Sequence, residues 1–417
     1  MENINIKDIA QNAKNAFLKT MNLDNKIKNK ALSHIAQKIL ENKTAIFEAN
    51  NKDLNEAKKM LEEGKINQAT FNRLKINENK INDLITGLND LIKLDDPVNK
   101  TIWQKELDEN LVLNKVSTPI GVIGVIFEAR PDCFIQIASL IIKSGNCGIL
   151  KGGSEANNTN TTFAKLVNEA LEEINYPKFA INLIYSREDI KTMLSLDEYI
   201  NLIIPRGSNA LVKFIKENTK IPVLGHASGI CHIFIDEYAD FENASKIIID
   251  AKTQYPSACN AVETIIIHKN WKHLKELKNK LIENEIKIIE NPNDYAQEYS
   301  DTILSIKVVE NLDNAIEHIN KYGSGHTDSI LSNNKENIEK FMNLVDSACV
   351  FSNCSTRFSD GFRFGFGAEV GISTNKTHAR GPVGLEGLTI YKYKLFGKNQ
   401  IVAPYANGEK TFKHKYI

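Results

Sequence analysis

The residue best suited to covalent chemistry is Cys259, in the stretch TQYPSACNAVETIIIH, residues 253–268, between an expected helix end and an apolar strand. A free thiol near its ordinary pKa of about 8.5 is only about 3 per cent ionised at pH 7. Lowering that value by ~1.5 units would leave about half of it as thiolate, a differential stabilisation of roughly 2 kcal/mol. The proline and small residues of YPSACNA allow a tight turn whose backbone N–H groups can supply that stabilisation and leave the sulfur accessible. Against this, free cysteine packs as a small hydrophobe and is among the most buried residue types. Spacing alone leaves both readings open.

The second group of candidates is cationic. Lysine dominates the basic residues, and the seven arginines are Arg73, Arg130, Arg187, Arg206, Arg357, Arg363 and Arg380. A planar, permanently charged fork binds carboxylate or phosphate through two parallel hydrogen bonds, which lysine cannot do. Which of them meet an anionic substrate is what the resemblance given below implies: Arg130, Arg357, Arg363 and Arg380. His226, in LGHASGICH, is read either as a base or phosphate contact or as a packed residue; His326 and His378 are read equally as site residues or as hinge or packing groups. The phenylalanines of FRFGFG are expected in the core sooner than in a substrate box.

Composition narrows the classes. Lys plus Arg equal Asp plus Glu at 52 each over 417 residues, so no bulk field points to nucleic acid. The six cysteines form no CxxC pair, which argues against a zinc site or a disulfide framework. The start, MENINIKDIAQNAKNAFLKT, reads as a polar amphipathic helix without a signal core, and no apolar run approaches the roughly 18 residues that would span a membrane. The expected setting is a reducing cytoplasm, with no membrane, nucleic acid or metal partner.

These residues need elements to hold them. From residue 5 to about 95, apolar residues recur at helical spacing in a Lys-, Asn- and Glu-rich background, predicting several amphipathic helices. LVLNKVSTPIGVIGVIF then predicts an edge strand or hairpin and a buried strand, and DCFIQIASLIIKSG a helix packed on most of its circumference. Strand-like NCGILKGG, AINLIYS, YINLIIPRG, IPVLG, ICHIFID, ETIIIH and TILSIKVV alternate with helical segments, as βαβ units on parallel sheets do. After residue 350 the chain is rich in glycine and phenylalanine and aperiodic, a texture that tends to line a site.

The strings TPIGVIGVIFEARPDC, ILKGGSEA, IIPRGSNALV, YPSACNAVETIIIH, VENLDNAIEHINKYGSGHTDSI and STRFSDGFRFGFGAEVGISTNKTHARGPVGLEGLT, in that order, resemble the γ-glutamyl phosphate reductases of the aldehyde dehydrogenase superfamily over nearly the whole chain. The expected form is the monofunctional one, with no kinase domain ahead of these strings. The resemblance implies an α/β, aldehyde dehydrogenase-like fold. Its parts would be a Rossmann-type NADP-binding domain over 1–233 with a bridging strand near 104–116, an α/β catalytic domain over 234–390, and a bridging segment over 391–417 forming a small oligomerisation hairpin. It implies reduction of L-glutamyl 5-phosphate by NADPH to the semialdehyde and phosphate, through a thioester on Cys259. Glutamate 5-kinase is the expected upstream enzyme and a homo-oligomer the expected state. Lys151 is expected at the adenosine ribose and 2′-phosphate, Gly207 and Ser208 at the pyrophosphate, and Glu298 at the nicotinamide ribose.

Three departures from the wider superfamily matter. The oxyanion loop carries Arg130 and Asp132 in EARPD instead of a carboxamide, GSNALV lacks the later helix glycine, and LGHASGICH replaces the Glu-Leu-Gly-Gly string whose carboxylate activates water. Without that base a thioester hydrolyses slowly, which suits an acyl-phosphate enzyme. The rival readings are another phosphorylating or acylating aldehyde dehydrogenase, a Cys/His hydrolase or acyltransferase, and a non-catalytic nucleotide-binding relative.

Overall fold

The computed structural model describes residues 5–225 and 228–417; His226 and Ala227 lie outside it, and with them the expected base or phosphate contact. Five helices come first: α1 Ile6–Thr20, α2 Asn25–Glu41, α3 Lys43–Glu62, α4 Gln68–Leu74 and α5 Glu78–Lys93. Their starts explain part of the asparagine-rich composition. The side chains of Asn5, Asp24, Asn67 and Asn77 each accept a backbone N–H of the first turn, meeting donors that the helix itself leaves open.

The strands and remaining helices then alternate. β1 Thr101–Asp108, β2 Leu111–Pro119 and β3 Val122–Phe127 are followed by α6 Asp132–Lys143, β4 Cys147–Lys151, α7 Asn157–Glu173, β5 Ile181–Ile184, α8 Arg187–Leu194, β6 Leu202–Arg206 and α9 Asn209–Glu217. Next come β7 Cys231–Ile235, α10 Phe241–Thr253, β8 Val262–His268, α11 Leu274–Glu283, β9 Lys287–Glu290, β10 Ile303–Val309, α12 Leu312–Tyr322, β11 Thr327–Leu331, α13 Lys335–Leu344 and β12 Cys349–Ser352. Short β13 Ile372–Ser373 and β14 Gly381–Pro382 precede β15 Thr389–Phe396, α14 Ala403–Ala406 and β16 Lys415–Tyr416.

The chain forms two compact units. The first takes Met1–Arg206, Asn218–Val223 and Gly384–Ile417; the second takes Gly207–Glu217 and Leu224–Val383. The division near 223/224, not 233, follows from strand pairing, because β7 pairs in parallel with β8 and β11 of the second unit. The segment expected as the strand IPVLG contributes a single bridge, Val223 to Ile203.

In the first unit β5-β4-β3-β6 is a parallel sheet. Its strands are apolar without alternation because both faces are covered, and Val122 to Phe127 are all buried. A second, antiparallel sheet runs β15-β2-β1-β16, with β15 aligned on β2 from Thr389 opposite Pro119 to Phe396 opposite Val112. The second unit is built on a six-stranded parallel sheet, β12-β11-β7-β8-β10-β9. Ile248 on α10 with Leu277 and Leu281 on α11 joins one core layer, and Ile316 and Ile319 on α12 with Phe341 on α13 joins the other.

Candidate active site

In the second unit, the residues of chemical interest gather at the amino-terminal edge of the six-stranded sheet. Cys259 sits three residues ahead of β8, Cys231 opens β7, His326 immediately precedes β11, and Cys349 opens β12. The turn holding Cys259 is closed by the Ala258 N–H donating to Tyr255 O at 3.1 Å and the Ala261 N–H to Ala258 O at 2.9 Å. The Cys231 thiol donates to the Cys259 carbonyl at 3.3 Å, and the Asn260 amide donates to Ser359 O at 2.7 Å. Gly229 lies flat against this turn: a Cβ there would stand 2.1 Å from the Cys259 carbonyl oxygen and 2.4 Å from its Cα. The Cys259 turn is thus seated from below by the residues leading into β7, a support that the letters GIC in the sequence disclose only as an ordinary strand entry.

Cys259 is half-buried. Burial pushes its thiol up to about 12, the carboxylates of Glu369 and Glu298 add to that, and the Arg357 guanidinium opposes them. The turn alone, which the sequence allowed as a source of stabilisation, does not lower the pKa, because desolvation and two carboxylates outweigh the N–H donors. A thiol held there is a weak nucleophile at neutral pH, so acidification needs further positive charge at the sulfur. Arg357 is the cation already acting on it. Its Nε donates to Gln254 Oε1 at 2.9 Å, its guanidinium stands 5.9 Å from the Tyr255 ring centre, and burial with nearby Arg363 holds its own pKa down. Glu369 is a participant that sequence reasoning missed; its Oε2 also accepts the Gly361 N–H at 2.8 Å.

The other expected arginines differ in their engagement. Arg363 donates to the Arg357 carbonyl at 2.6 Å, which places it beside the same group. Arg380 is paired instead with Asp346, 3.0 Å from both its carbonyl and its Oδ1. The phenylalanines expected in the core are on the surface: Phe362 is 71% exposed. Their loop turns at Gly365 and Gly367, both with φ near 80°, so the rings of Phe364 and Phe366 meet edge to face at 5.6 Å instead of facing a core at regular spacing. Glu298 lies in the segment between β9 and β10, where its Oε2 accepts from Asn209 Nδ2 at 3.3 Å. Asn209 opens α9, directly after Gly207 and Ser208.

In the first unit, the order β5-β4-β3-β6 shows strands added to one side of β3 and then, with β6, to the other, and open parallel sheets bind ligands at the carboxyl ends beside such a switch in strand order. β3 runs into Glu128–Arg130, β6 ends at Arg206, and the Glu128 N–H donates to Arg206 O at 3.1 Å. The EARPD loop is pinned by Glu155, which accepts the Ala129 N–H at 2.7 Å, and by the Lys80–Asp132 pair at 3.1 Å. Lys151 ends β4 and is buried, unlike an ordinary lysine at a strand end. Burial holds its ammonium below the usual range; Glu155 opposes this and Arg187, at the start of α8, adds to it. Two cations beyond neighbouring strand ends form a donor set that suits a phosphate. After Lys151 the chain passes close to side chains, since a Cβ on Gly152 would meet Asn160 Nδ2 at 2.1 Å and one on Gly153 the Glu155 carboxylate at 2.0 Å. No group of His, Cys, Asp and Glu among the described residues is arranged to hold a metal ion.

Comparison with known proteins agrees with this architecture. The model of the aldehyde dehydrogenase family matches residues 2–298. The γ-glutamyl phosphate reductase of Brachyspira hyodysenteriae is 58% identical over 98% of this chain and 99% of its own length. That of Acetivibrio thermocellus is 51% identical over 99% of this chain and 98% of its own. The crystal structure of γ-glutamyl phosphate reductase from Thermotoga maritima superposes with a TM-score of 0.91 at 38% identity, covering 95% of this chain and 99% of that one. The chain therefore belongs to the aldehyde dehydrogenase family, among its γ-glutamyl phosphate reductases.

Proposed function

We propose that this chain reduces L-glutamyl 5-phosphate to L-glutamate 5-semialdehyde with release of phosphate, the second step of proline biosynthesis from glutamate. The observation that carries the reading is the full-length likeness to γ-glutamyl phosphate reductases, end to end and at more than half identity. An acyl phosphate hydrolyses in water, so transfer to a thiol divides one difficult reduction into two easier steps. Cys259 is the nucleophile: its sulfur takes the γ-acyl group, phosphate leaves, and the sulfur is regenerated when the semialdehyde departs. Arg357 favours the thiolate and Arg363 stands beside it; with Arg130 and Arg380 they are the proposed ligands for the substrate's carboxylate and phosphate. The Cys259 N–H is the proposed first oxyanion donor.

The cofactor of the family is a nicotinamide dinucleotide, which supplies a hydride to the acyl carbon when bound. Lys151 with Arg187 supports NADP(H) as the form used, through the 2′-phosphate; Gly207 and Ser208 are proposed at the pyrophosphate and Glu298 at the nicotinamide ribose. In this reading the first unit's parallel sheet serves the cofactor, the second unit the chemistry, and the antiparallel sheet with β15 a contact between copies. Glutamate 5-kinase is the proposed source of substrate. The six free cysteines, Cys259 among them, fit a reducing cytoplasm.

The test is phosphate-dependent reduction of NADP with glutamate 5-semialdehyde, followed at 340 nm, a wavelength set by the reduced nicotinamide. Wild type turns over and Cys259→Ser loses at least ~10³-fold, the scale of removing a covalent nucleophile. Turnover without phosphate, or a Cys259→Ser enzyme of undiminished rate, overturns the reading. Replacing Lys151 by Ala is expected to raise KM for NADP more than for NAD.

A further inference from the structure

Four residues after Cys259, on β8, a carboxylate is shut inside the second unit. Glu263 and Lys252 of α10 have fully buried side chains, and Lys252 Nζ donates to Glu263 Oε2 at 2.9 Å. A buried ion pair is commonly no more stabilising than well-packed apolar residues, so stability alone gives little reason for one. This pair has a third member. The Tyr299 backbone N–H donates to the same Oε2 at 3.2 Å, while Oε1 has no partner among the described residues. Tyr299 belongs to the segment between β9 and β10, most of which has no regular secondary structure, and its hydroxyl shares a 2.6 Å hydrogen bond with Ser305 Oγ on β10. The residue before Tyr299 is Glu298, and the one after it, Ser300, has a φ of 54°. The path of the chain at Glu298 is therefore set by two internal posts, Glu263 and Ser305.

We propose that Glu263 is a positioning residue for cofactor binding: its carboxylate, with Lys252 as its buried counter-charge, holds the Tyr299 N–H and so fixes where Glu298 stands. This rests on the reading of Glu298 as a contact to the nicotinamide ribose. The electrostatics agree with a geometric role. Burial pushes the Glu263 carboxyl up to about 7, against the pull of Lys252 and of the Tyr299 and Ser300 N–H groups, and holds the Lys252 ammonium down.

The test is direct titration of the full-length protein with NADPH, read by fluorescence alongside the melting temperature. Glu298→Ala is expected to weaken binding about tenfold or more, one lost charge-assisted hydrogen bond. Lys252→Met with Glu263→Gln keeps an oxygen for the Tyr299 N–H and is expected to bind within about twofold of wild type. Lys252→Met with Glu263→Leu removes that oxygen and is expected to lose about tenfold, with at most a further twofold on adding Glu298→Ala, because both act on one contact. If the leucine variant melts lower but binds NADPH like wild type while Glu298→Ala does not, the pair is structural and the inference falls alone. If Glu298→Ala binds like wild type, the role of Glu298 falls and the inference with it. Should the leucine variant not fold, Glu263→Asp, one carbon shorter, decides: unchanged NADPH affinity overturns the proposal.

Discussion

Gly229 has no room for a side chain, because a methyl group would press on the backbone of Cys259 from 2.1 Å. Gly229→Ala therefore moves the sulfur instead of removing it. A displacement near 1 Å at a reacting atom costs on the order of 10²-fold in rate. The expected outcome is a loss of that size in kcat with NADPH affinity unchanged; kcat within twofold of wild type would show that the turn yields without consequence. Of the site, Cys259 was singled out by the sequence because its thiol lies among Pro and small residues and the surrounding strings are long. Its charge environment was not. Glu369 acts on the Cys259 thiol from a segment far along the chain, and no spacing rule connects the two. Cys231, two residues beyond Gly229, reads as an ordinary strand cysteine until β7 and β8 are seen side by side.

At the level of elements, α12 carries His318 into a buried aromatic cluster, 4.7 Å from the Tyr295 and Tyr322 rings and 5.5 Å from His232. Burial pushes the His318 pKa down to about 3, and the positive charge of neighbouring His232, when protonated, works the same way. In the unfolded chain this imidazole titrates near 6.5, so between about 6.5 and 3 the unfolded state binds the extra proton. His318 therefore gives its full contribution above about 6.5, and the contribution is lost as pH falls toward 3. His318→Phe is expected to lose about 2 kcal/mol less stability than wild type between pH 6.5 and pH 5, measured by urea unfolding. Equal losses in the two proteins would mean that the histidine is solvated. The helices and parallel strands were legible because burial on both faces writes continuous runs such as VIGVIF and TIIIH, and Asn and Asp mark helix starts. Less of the order was legible where pairing is remote. That Cys231–Ile235 belongs with β8 and β11, and that IPVLG yields only one bridge, depends on neighbours distant in sequence.

Across the whole molecule, the sheet β15-β2-β1-β16 is the surface most in need of a partner. Tyr393, Leu395 and Phe396 on the edge strand β15 are each more than half exposed, and Tyr391, Tyr393, Trp103 and Tyr416 form a chain of ring contacts across the sheet. An exposed, apolar edge strand pairs readily with another chain. If copies join there, Tyr393→Glu with Leu395→Lys is expected to convert the oligomer to monomer in light scattering, with the fold retained by circular dichroism; an unchanged mass removes this sheet as the interface. The same strand has a bearing on biogenesis. Residues 389–396 leave a ribosome long after β2, yet they cover its flank. Until they arrive the nascent polypeptide carries an open row of amide and carbonyl groups, so stalled translation in the second half leaves it to chaperones or to aggregation, and prompt completion seals it.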